Sequence, residues 1–385
     1  MVRHPRLRLS PTVAAIAATV VAVMPVFLTG AMAVQLRDSL HFGPTMLGIV
    51  VGADYAASAV SATLIGRLAD RRGSTWPVRA GLVLNAGALI GIGTVVGSWE
   101  ALGVALACAG AGNGAIQTGT NRLIARTVRA GRQGWSYGVK QAAIPTATLT
   151  GGLAVPVVAL TVGWRWAFVA CGLAALTLPW LLPAEVAERT SGAPERTTPR
   201  LAPLLPVMIS AALGAASANA LGAFLAVSAV DSGVAPANAG LLIAIGAITS
   251  LVARLIAGWQ ADRSARDGFV IVATMMGVGA FGYAMLASGW PSLIVPGTLL
   301  AFGAGWGWAG LLNYSVVQAH PRSPASATGL TQGGAYVGGI VGPVAFGLIS
   351  THLSMAAAWG TAGAAVIVAS ATMLIGRAYM RRVPA

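Results

Sequence analysis

The residues of this sequence that could do chemistry are a few ionisable side chains inside long apolar stretches. Asp54 and Arg254 lie among mostly aliphatic neighbours, and Lys140 lies near the start of another apolar stretch. Placing an ionisable group in such surroundings costs free energy, so we treat each of these residues as a candidate functional residue. Lys140 is the single lysine among 24 basic residues, and a compact ammonium favours an anion-binding or proton-sensitive site. The alternative is a structural lysine whose ammonium reaches the aqueous surface or a carbonyl oxygen.

Asp54 begins a polar stripe that continues with Ser58 and Ser61, at the spacing of one helix face. One hypothesis for this aspartate is proton coupling, because a carboxyl group among apolar side chains can load and release a proton. The other hypothesis is an ion pair or a hydrogen bond between helices. The sequence leaves both open.

The elements that must position these groups are membrane-spanning helices. Hydrophobic residues make up 56% of the chain, charged residues only 9%, and the mean hydropathy is +0.76. A soluble globular domain has about a quarter of its residues charged, and apolar runs long enough to cross a bilayer recur along this chain. We predict an all-α integral membrane protein with twelve transmembrane helices. These twelve spans are 12–35, 44–66, 78–97, 101–123, 136–160, 165–183, 202–229, 237–258, 269–288, 292–314, 326–350 and 355–377.

The net charge of +14 could indicate nucleic acid binding, but most arginines lie in short loops between apolar runs. That distribution follows the positive-inside rule, so it predicts a lipid bilayer as the partner and no nucleic acid. It places both termini and the polar stretch 184–200 on the cytoplasmic side. We therefore predict an N-terminal six-helix bundle (1–183), a cytoplasmic linker (184–200) and a C-terminal six-helix bundle (201–385).

The two halves of the chain repeat short landmarks. The charged segment Gly66-Arg67-Leu68-Ala69-Asp70-Arg71-Arg72-Gly73-Ser74, a predicted turn after the second span, has a partial copy in Gly258-Trp259-Gln260-Ala261-Asp262-Arg263. Asn121 recurs as Asn313 at the same separation, and Gly138-x-x-Gln141 recurs as Gly329-x-x-Gln332. Parallel repeats of this kind predict a solute site near mid-membrane between the halves.

The segment from Gly66 to Gly73 resembles the signature loop of the major facilitator superfamily of secondary transporters, G-x-L-a-D-r-x-G-r-k. Ser74 and Thr75 replace its last two basic residues. The resemblance implies two pseudo-symmetric bundles that work by alternating access, commonly as a monomer. It also implies a gating role on the cytoplasmic side for two sets of residues: Gly66, Asp70, Arg71 and Gly73, and more weakly Gly258, Asp262 and Arg263. The Asp70 carboxylate would meet the positive N-terminal end of the eleventh helix.

The same resemblance implies that helices 1, 4, 7 and 10 line a central cavity and that helices 2, 5, 8 and 11 lie between the halves. The residues predicted to bind solute or couple its movement are Lys140, Asp54, Asn113, Gln117, Gln141, Arg254, Trp306, Asn313 and Gln332. The alternative for any one polar residue is hydrogen bonding between helices. Residues 138–145, Gly-Val-Lys-Gln-Ala-Ala-Ile-Pro, resemble a pattern of a bacterial branch near the cyanate and small-organic-ion permeases.

The predicted cavity has a net positive charge, because it contains the cations Lys140 and Arg254 and a single anion, Asp54. The leading hypothesis is a symporter or antiporter for a small anionic organic solute in a bacterial-type cytoplasmic membrane. The alternative is a proton-coupled exporter of drugs or other hydrophobic or cationic compounds, with Asp54 as ligand or proton carrier. Two exporter patterns of the superfamily are not met: Cys108 takes the place of an arginine in helix 4, and Pro145 is wrongly spaced for the antiporter signature.

No enzyme is predicted from this sequence. The four histidines lie near segment ends or loops without metal-ligand spacing, and no clustered acid, base and nucleophile is evident. There is no Gly-Lys-Ser/Thr phosphate-binding loop, so an ATP-driven pump is equally unsupported. We expect neither a metal nor a cofactor.

Overall fold

The computed structural model describes residues 9–72, 75–127, 139–183, 201–263, 267–320 and 324–382. Within these ranges the regular elements are helices, and no strand is present. In the N-terminal half they are α1 (Pro11–Ala31), α2 (Ala33–Leu40), α3 (Pro44–Arg72), α4 (Thr75–Thr94), α5 (Trp99–Thr127), α6 (Ala143–Ala154), a π-helical segment (Val155–Gly163) and α7 (Trp164–Leu181). In the C-terminal half they are α8 (Leu201–Asp231), α9 (Pro236–Arg263), α10 (Gly268–Ala287), α11 (Pro291–Gly303), α12 (Ala309–Ala319), α13 (Pro324–His352) and α14 (Met355–Arg382).

Nine helical stretches in the described ranges are long and apolar enough to cross a membrane. One of them, Val139–Leu181, contains two predicted spans, which separate at Gly163. The backbone of Gly163 has φ +103°, a conformation that favours glycine, and it lets the chain turn before α7. Predicted span 4 corresponds to α5, and predicted span 10 is divided between α11 and α12. The count of twelve spans stays a prediction.

The predicted ends of two helices are wrong. Gly66 and Gly258 were expected to end apolar helices, but α3 continues to Arg72 and α9 to Arg263. A glycine inside a helix costs only about 1 kcal/mol relative to alanine, and no proline follows either one to stop the helix. The charged residues after each glycine therefore prolong the helix instead of forming the predicted turn.

The interruption between α11 and α12 covers residues 304–308, Ala-Gly-Trp-Gly-Trp. Glycine lowers helix propensity, and Gly305 also packs against the backbone of Gly279 in α10, where a side chain would collide. The interruption directs two tryptophans, Trp306 and Trp308, into the buried core. It therefore helps to build the wall of the space described below.

The two halves meet mainly through three helix pairs, α3 with α13, α6 with α9, and α1 with α8, with smaller contacts of α8 with α2 and α3 and of α9 with the π-helical segment. The first two pairs correspond to helices 2, 5, 8 and 11, which the family resemblance places between the halves. Gly48 of α3 lies so close to the Pro343 carbonyl group that any side chain there would collide with it. Small residues allow membrane helices to approach this closely.

The contact between α3 and α13 lies near one end of the two helices. At the end where α3 begins, which we call the Pro44 end, Thr45 donates hydrogen bonds to the Gly347 carbonyl (3.3 Å) and to the Thr351 hydroxyl (2.9 Å). The same face of α13 is uncovered nearer the opposite end, where a side chain at Gly329 or Gly333 would meet nothing. We call that opposite end, at which α3, α9 and α14 terminate in arginine, the arginine-rich end.

Candidate functional site

Asp54 lies in the middle of α3 and is buried, with 1% of its surface exposed. Neither carboxyl oxygen has a hydrogen-bond partner. Gly110 of α5 packs directly against the Asp54 backbone, where a side chain would not fit. Tyr55 and Tyr336 are near enough to interact with the carboxyl group electrostatically. A buried acid that lacks both a donor and a basic partner is uncommon, because an uncompensated charge is costly to bury.

The residue next to Asp54 joins the two halves. The Tyr55 hydroxyl donates a hydrogen bond to Oδ1 of Asn219 in α8, and the Asn219 amide donates to the Ala215 carbonyl at 2.8 Å. The Tyr55 ring also packs on Gly339 of α13, where any side chain would collide with it. Asp54 is therefore one residue from a contact that must change if the halves separate at the Pro44 end.

The rest of the predicted stripe on α3 bonds to α5. Ser58 donates to the Gly110 carbonyl at 2.9 Å, and Ser61 donates to the Ala111 carbonyl at 2.6 Å. Asn113 of α5 is buried and donates to the Ser58 hydroxyl at 3.2 Å, while its Oδ1 has no partner. These contacts are the helix–helix hydrogen bonds that the sequence left open as an alternative.

Lys140 lies in the helical turn before α6 and is buried, with 5% of its surface exposed. Its ammonium donates a hydrogen bond of 2.6 Å to Oδ1 of Asn121 in α5. Both residues belong to the N-terminal half. The lysine therefore has a neutral partner on a neighbouring helix, and within the described residues it makes no ion pair.

Arg254 of α9 connects the halves from the other side of the interface. One guanidinium nitrogen donates to the Gln141 carbonyl and another donates to the Trp306 carbonyl, each at 3.2 Å. The third nitrogen, Nε, is buried without a partner. Among the described residues Arg254 makes no ion pair, so its charge faces carbonyl dipoles only.

One turn before Arg254 on the same helix, the Ser250 side chain is buried and its hydroxyl also has no partner. Ser250 and Arg254 line a narrow space between the halves. The other lining residues are Ile144, Pro145 and Thr148 from α6, Ala247 from α9, Phe302 from α11 and Trp306. The space is too narrow in this conformation for a water molecule, so an occupant would need the walls to move apart.

Aromatic rings form one wall of this space. The Trp306 ring lies between Phe302 and Phe27 of α1, with centroid distances of 5.4 and 5.6 Å. Tilted aromatic pairs at such distances are favourable. The space thus combines two polar side chains on α9 with an apolar aromatic wall, the common composition of a small-molecule site.

Other predicted residues lie apart from this space. Gln332 is exposed on the uncovered face of α13, and Asn313 and Gln117 are partly buried on α12 and α5. Gln141 takes part through its backbone carbonyl. Gly73 lies outside the described residues, as do the side chains of Asp70, Arg71, Asp262 and Arg263. The predicted gate contact of Asp70 therefore stays a prediction. In the described part of the chain no three metal-ligating side chains come together.

Sequence reasoning missed several residues that the packing brings together. Ser250 could have been found, because it precedes Arg254 by one helical turn and therefore shares its face. Asn219, Tyr336 and Phe302 carry no local signal. Asn219 contacts Tyr55, Tyr336 lies near Asp54, and Phe302 lines the same space as Arg254, each from a helix that is far away in the chain.

Comparison with known proteins agrees with this architecture. The family model described as Major Facilitator Superfamily matches residues 15–216 and 207–385. No curated protein matches the chain in sequence. Among solved structures, a bacterial homolog of the human lysosomal transporter Spinster in an inward-facing, unoccupied conformation has a TM-score of 0.68 at 15% identity, and the match covers 96% of this chain and 95% of that one.

Two further solved structures are similar to the same degree. The occupied form of the Spinster homolog has a TM-score of 0.71 at 15% identity, with 96% of this chain and 95% of that chain covered. A D-xylose-proton symporter has a TM-score of 0.74 at 15% identity, with 94% and 96% covered. At that identity these likenesses show the fold alone. The family model, however, accounts for almost the whole chain, and the chain belongs to the major facilitator superfamily.

Proposed function

We propose that this protein transports a small anionic organic solute by alternating access. As a member of its family it is a membrane transporter and not an enzyme. The observation that carries the anionic assignment is Arg254, which lies between the halves with carbonyl partners and no acid among the described residues. Lys140, the second cationic side chain near the interface, bonds to the neutral Asn121 and makes no ion pair with any residue that the structure describes. A solute anion would supply the charge that both lack.

The architecture that we propose follows the sequence. Twelve helices form two six-helix bundles, 1–183 and 201–385, joined by the linker 184–200. The arginine-rich end faces the cytoplasm of a bacterial-type inner membrane, both termini lie there, and the protein works as a monomer. Labelling of a cysteine introduced at residue 190, in intact cells against permeabilised cells, tests the orientation. Labelling in intact cells by an impermeant reagent would contradict it.

With this orientation the pair α3 and α13 would be open toward the cytoplasm. The two helices touch at the Pro44 end, which would face outward, and among the described residues the facing side of α13 is uncovered toward the arginine-rich end. One similar structure, that of the Spinster homolog, is itself described as inward-facing. Asp70, at the arginine-rich end of α3, would latch that end when it closes.

A second candidate function rests on Asp54. Its carboxyl oxygens have no partner, so the residue could carry a proton or bind a cationic compound, as in a proton-coupled exporter of drugs or hydrophobic cations. We include proton coupling through Asp54 in the anion proposal as well, and one similar structure is that of a proton symporter. Kinship to the cyanate-permease branch also remains a prediction.

Counterflow in proteoliposomes tests the proposal with two permanently charged probes of similar shape, benzenesulfonate and phenyltrimethylammonium. Vesicles loaded with one unlabelled probe are diluted into the same labelled probe, and protein-free vesicles measure leakage. We expect exchange of the anion alone. Exchange of the cation alone would overturn the anionic assignment and favour the exporter.

A further inference from the structure

We infer that the solute of this transporter is a compact monocarboxylate with an apolar or planar body, and that its carboxylate binds Arg254 Nε and the Ser250 hydroxyl. This inference rests on the proposed function and names the site and the solute class within it. Two donors without partners lie on one face of α9. Arg254 Nε and Ser250 Oγ are both buried and unpartnered, although they line the same space.

Unpartnered buried donors are costly, since each loses its hydrogen bonds to water without a replacement. The other polar side chain that lines the space is not a partner for these two donors. The Thr148 hydroxyl, which lines the same space, already donates to the Ile144 carbonyl at 3.0 Å. The two donors that remain are a guanidinium N–H and a hydroxyl one helical turn apart. A carboxylate, with two acceptor oxygens, can accept from both, and charge-assisted bonds to arginine are strong.

The charge balance favours a single negative charge on the solute. Arg254 is the only cationic side chain that lines the space among the described residues. Lys140 is not among the lining residues, and its ammonium is bonded to Asn121 in α5. A dianion would therefore leave one charge without a partner in a low-dielectric environment, which is unfavourable. A cation would be repelled by Arg254.

The other residues that line the space determine which body the solute can have beyond its carboxylate. Ile144, Pro145, Phe302 and Trp306 are apolar or aromatic and face the two donors. A short aliphatic or planar group can pack on these walls, whereas a polyhydroxylated body would lose its hydrogen bonds to water there. The narrowness of the space in this conformation restricts the solute to a compact molecule.

Binding at this position would also act on the interface. Arg254 now donates to the Gln141 carbonyl in the N-terminal half and to the Trp306 carbonyl in the C-terminal half. A carboxylate on Nε would share the guanidinium with these two carbonyl groups. Because the space is lined by both halves and has no room for an occupant in this conformation, solute binding requires its walls to move apart. Solute binding and the contact between the halves are therefore coupled.

The test is isothermal titration calorimetry, in which benzoate or propionate is titrated into the purified, detergent-solubilised full-length protein and the dissociation constant is measured. We expect Arg254→Gln to weaken benzoate binding by about a hundredfold or more and Ser250→Ala to weaken it by about tenfold. Arg165→Gln is the matched control, because Arg165 also donates to a backbone carbonyl, that of Val96, but away from the space. Phe302→Ala should weaken benzoate more than propionate.

Three outcomes separate the inference from the proposed function. Unchanged benzoate affinity in Arg254→Gln, or a loss in Lys140→Gln alone, overturns the site while anion transport stands. A wild-type protein that binds neither carboxylate but exchanges benzenesulfonate overturns the solute class only. A wild-type protein that binds no anion and exchanges none overturns the proposed function with it. If Arg254→Gln does not fold, Ser250→Asp decides, because a carboxylate one turn from Arg254 should pair with it and abolish benzoate binding.

Discussion

The guanidinium of Arg254 lies 3.2 Å from the backbone carbonyl oxygen of Gln141 and so joins α9 to the N-terminal half of the chain. Gln141 follows Lys140, the residue whose rarity in the sequence first pointed to an anion site. The structure gives the two cations different surroundings. Lys140 is bonded to a side chain of its own half, whereas Arg254 connects the halves and retains an unpartnered N–H. This difference is why we place the solute at Arg254.

Gly48→Ala should destabilise the closed Pro44 end. The added methyl group would collide with the Pro343 carbonyl group. Overpacking of this kind typically destabilises a packed contact by about 1–3 kcal/mol. We expect faster labelling of a cysteine introduced at position 45 and a lower melting temperature. Gly333→Ala is the control, because a methyl group there meets nothing in this conformation. Equal labelling in both variants would show that the Gly48 contact does not keep this end closed.

Tyr55→Phe should weaken the contact between α3 and α8. It removes the hydroxyl that donates to Asn219, and a hydrogen bond of this kind contributes about 1 kcal/mol net. A double-mutant cycle with Asn219→Ala, read from unfolding free energies, measures the interaction. We expect a coupling energy of about 0.5–1.5 kcal/mol. Additive effects of the two substitutions would mean that the pair does not stabilise the interface.

Asp54→Asn should abolish uptake driven by a proton gradient while solute counterflow continues. Asparagine cannot carry a proton, and the titratable groups near Asp54 among the described residues are the phenols of Tyr55 and Tyr336, neither of which is basic. The measurement is uptake into proteoliposomes with and without an imposed pH gradient. Asp38→Asn, at an exposed position on α2, should keep the wild-type response. Persistent gradient-driven uptake in Asp54→Asn would assign the proton to another residue.

Asp70→Asn should favour opening of the arginine-rich end. The carboxylate at the end of α3 is predicted to meet the positive N-terminal end of α13 when the halves close there, an attraction of about 0.3–1 kcal/mol at an exposed site. We expect a slower transport rate and greater labelling of a cysteine introduced at position 329. If both the rate and the labelling match those of the wild type, Asp70 is a solvated surface charge and the latch is wrong.

The sequence was sufficient to assign the helices that carry Asp54 and Arg254, because apolar runs of this length have few other uses. It was not sufficient to find their ends. A single glycine such as Gly66 is a weak signal when no proline follows it. Hydrogen-bond partners could not be predicted from the sequence, since the bonds from Tyr55 to Asn219 and from Lys140 to Asn121 depend on how the helices pack. Of the residues that the packing brings together, only Ser250 could be predicted from spacing, because it lies four residues before Arg254. A single serine in an apolar helix is a weak signal for a binding site.

The most direct test of an anionic solute is the melting temperature of the purified wild-type protein with benzoate, benzamidine and benzamide. These compounds share a ring and a planar head group and differ in charge, which is negative, positive and zero. A ligand that binds only the folded state raises its stability, by about 2.7 kcal/mol at a hundred times the dissociation constant. We predict a higher melting temperature with benzoate alone. A rise with benzamidine and none with benzoate would contradict it and direct attention to Asp54.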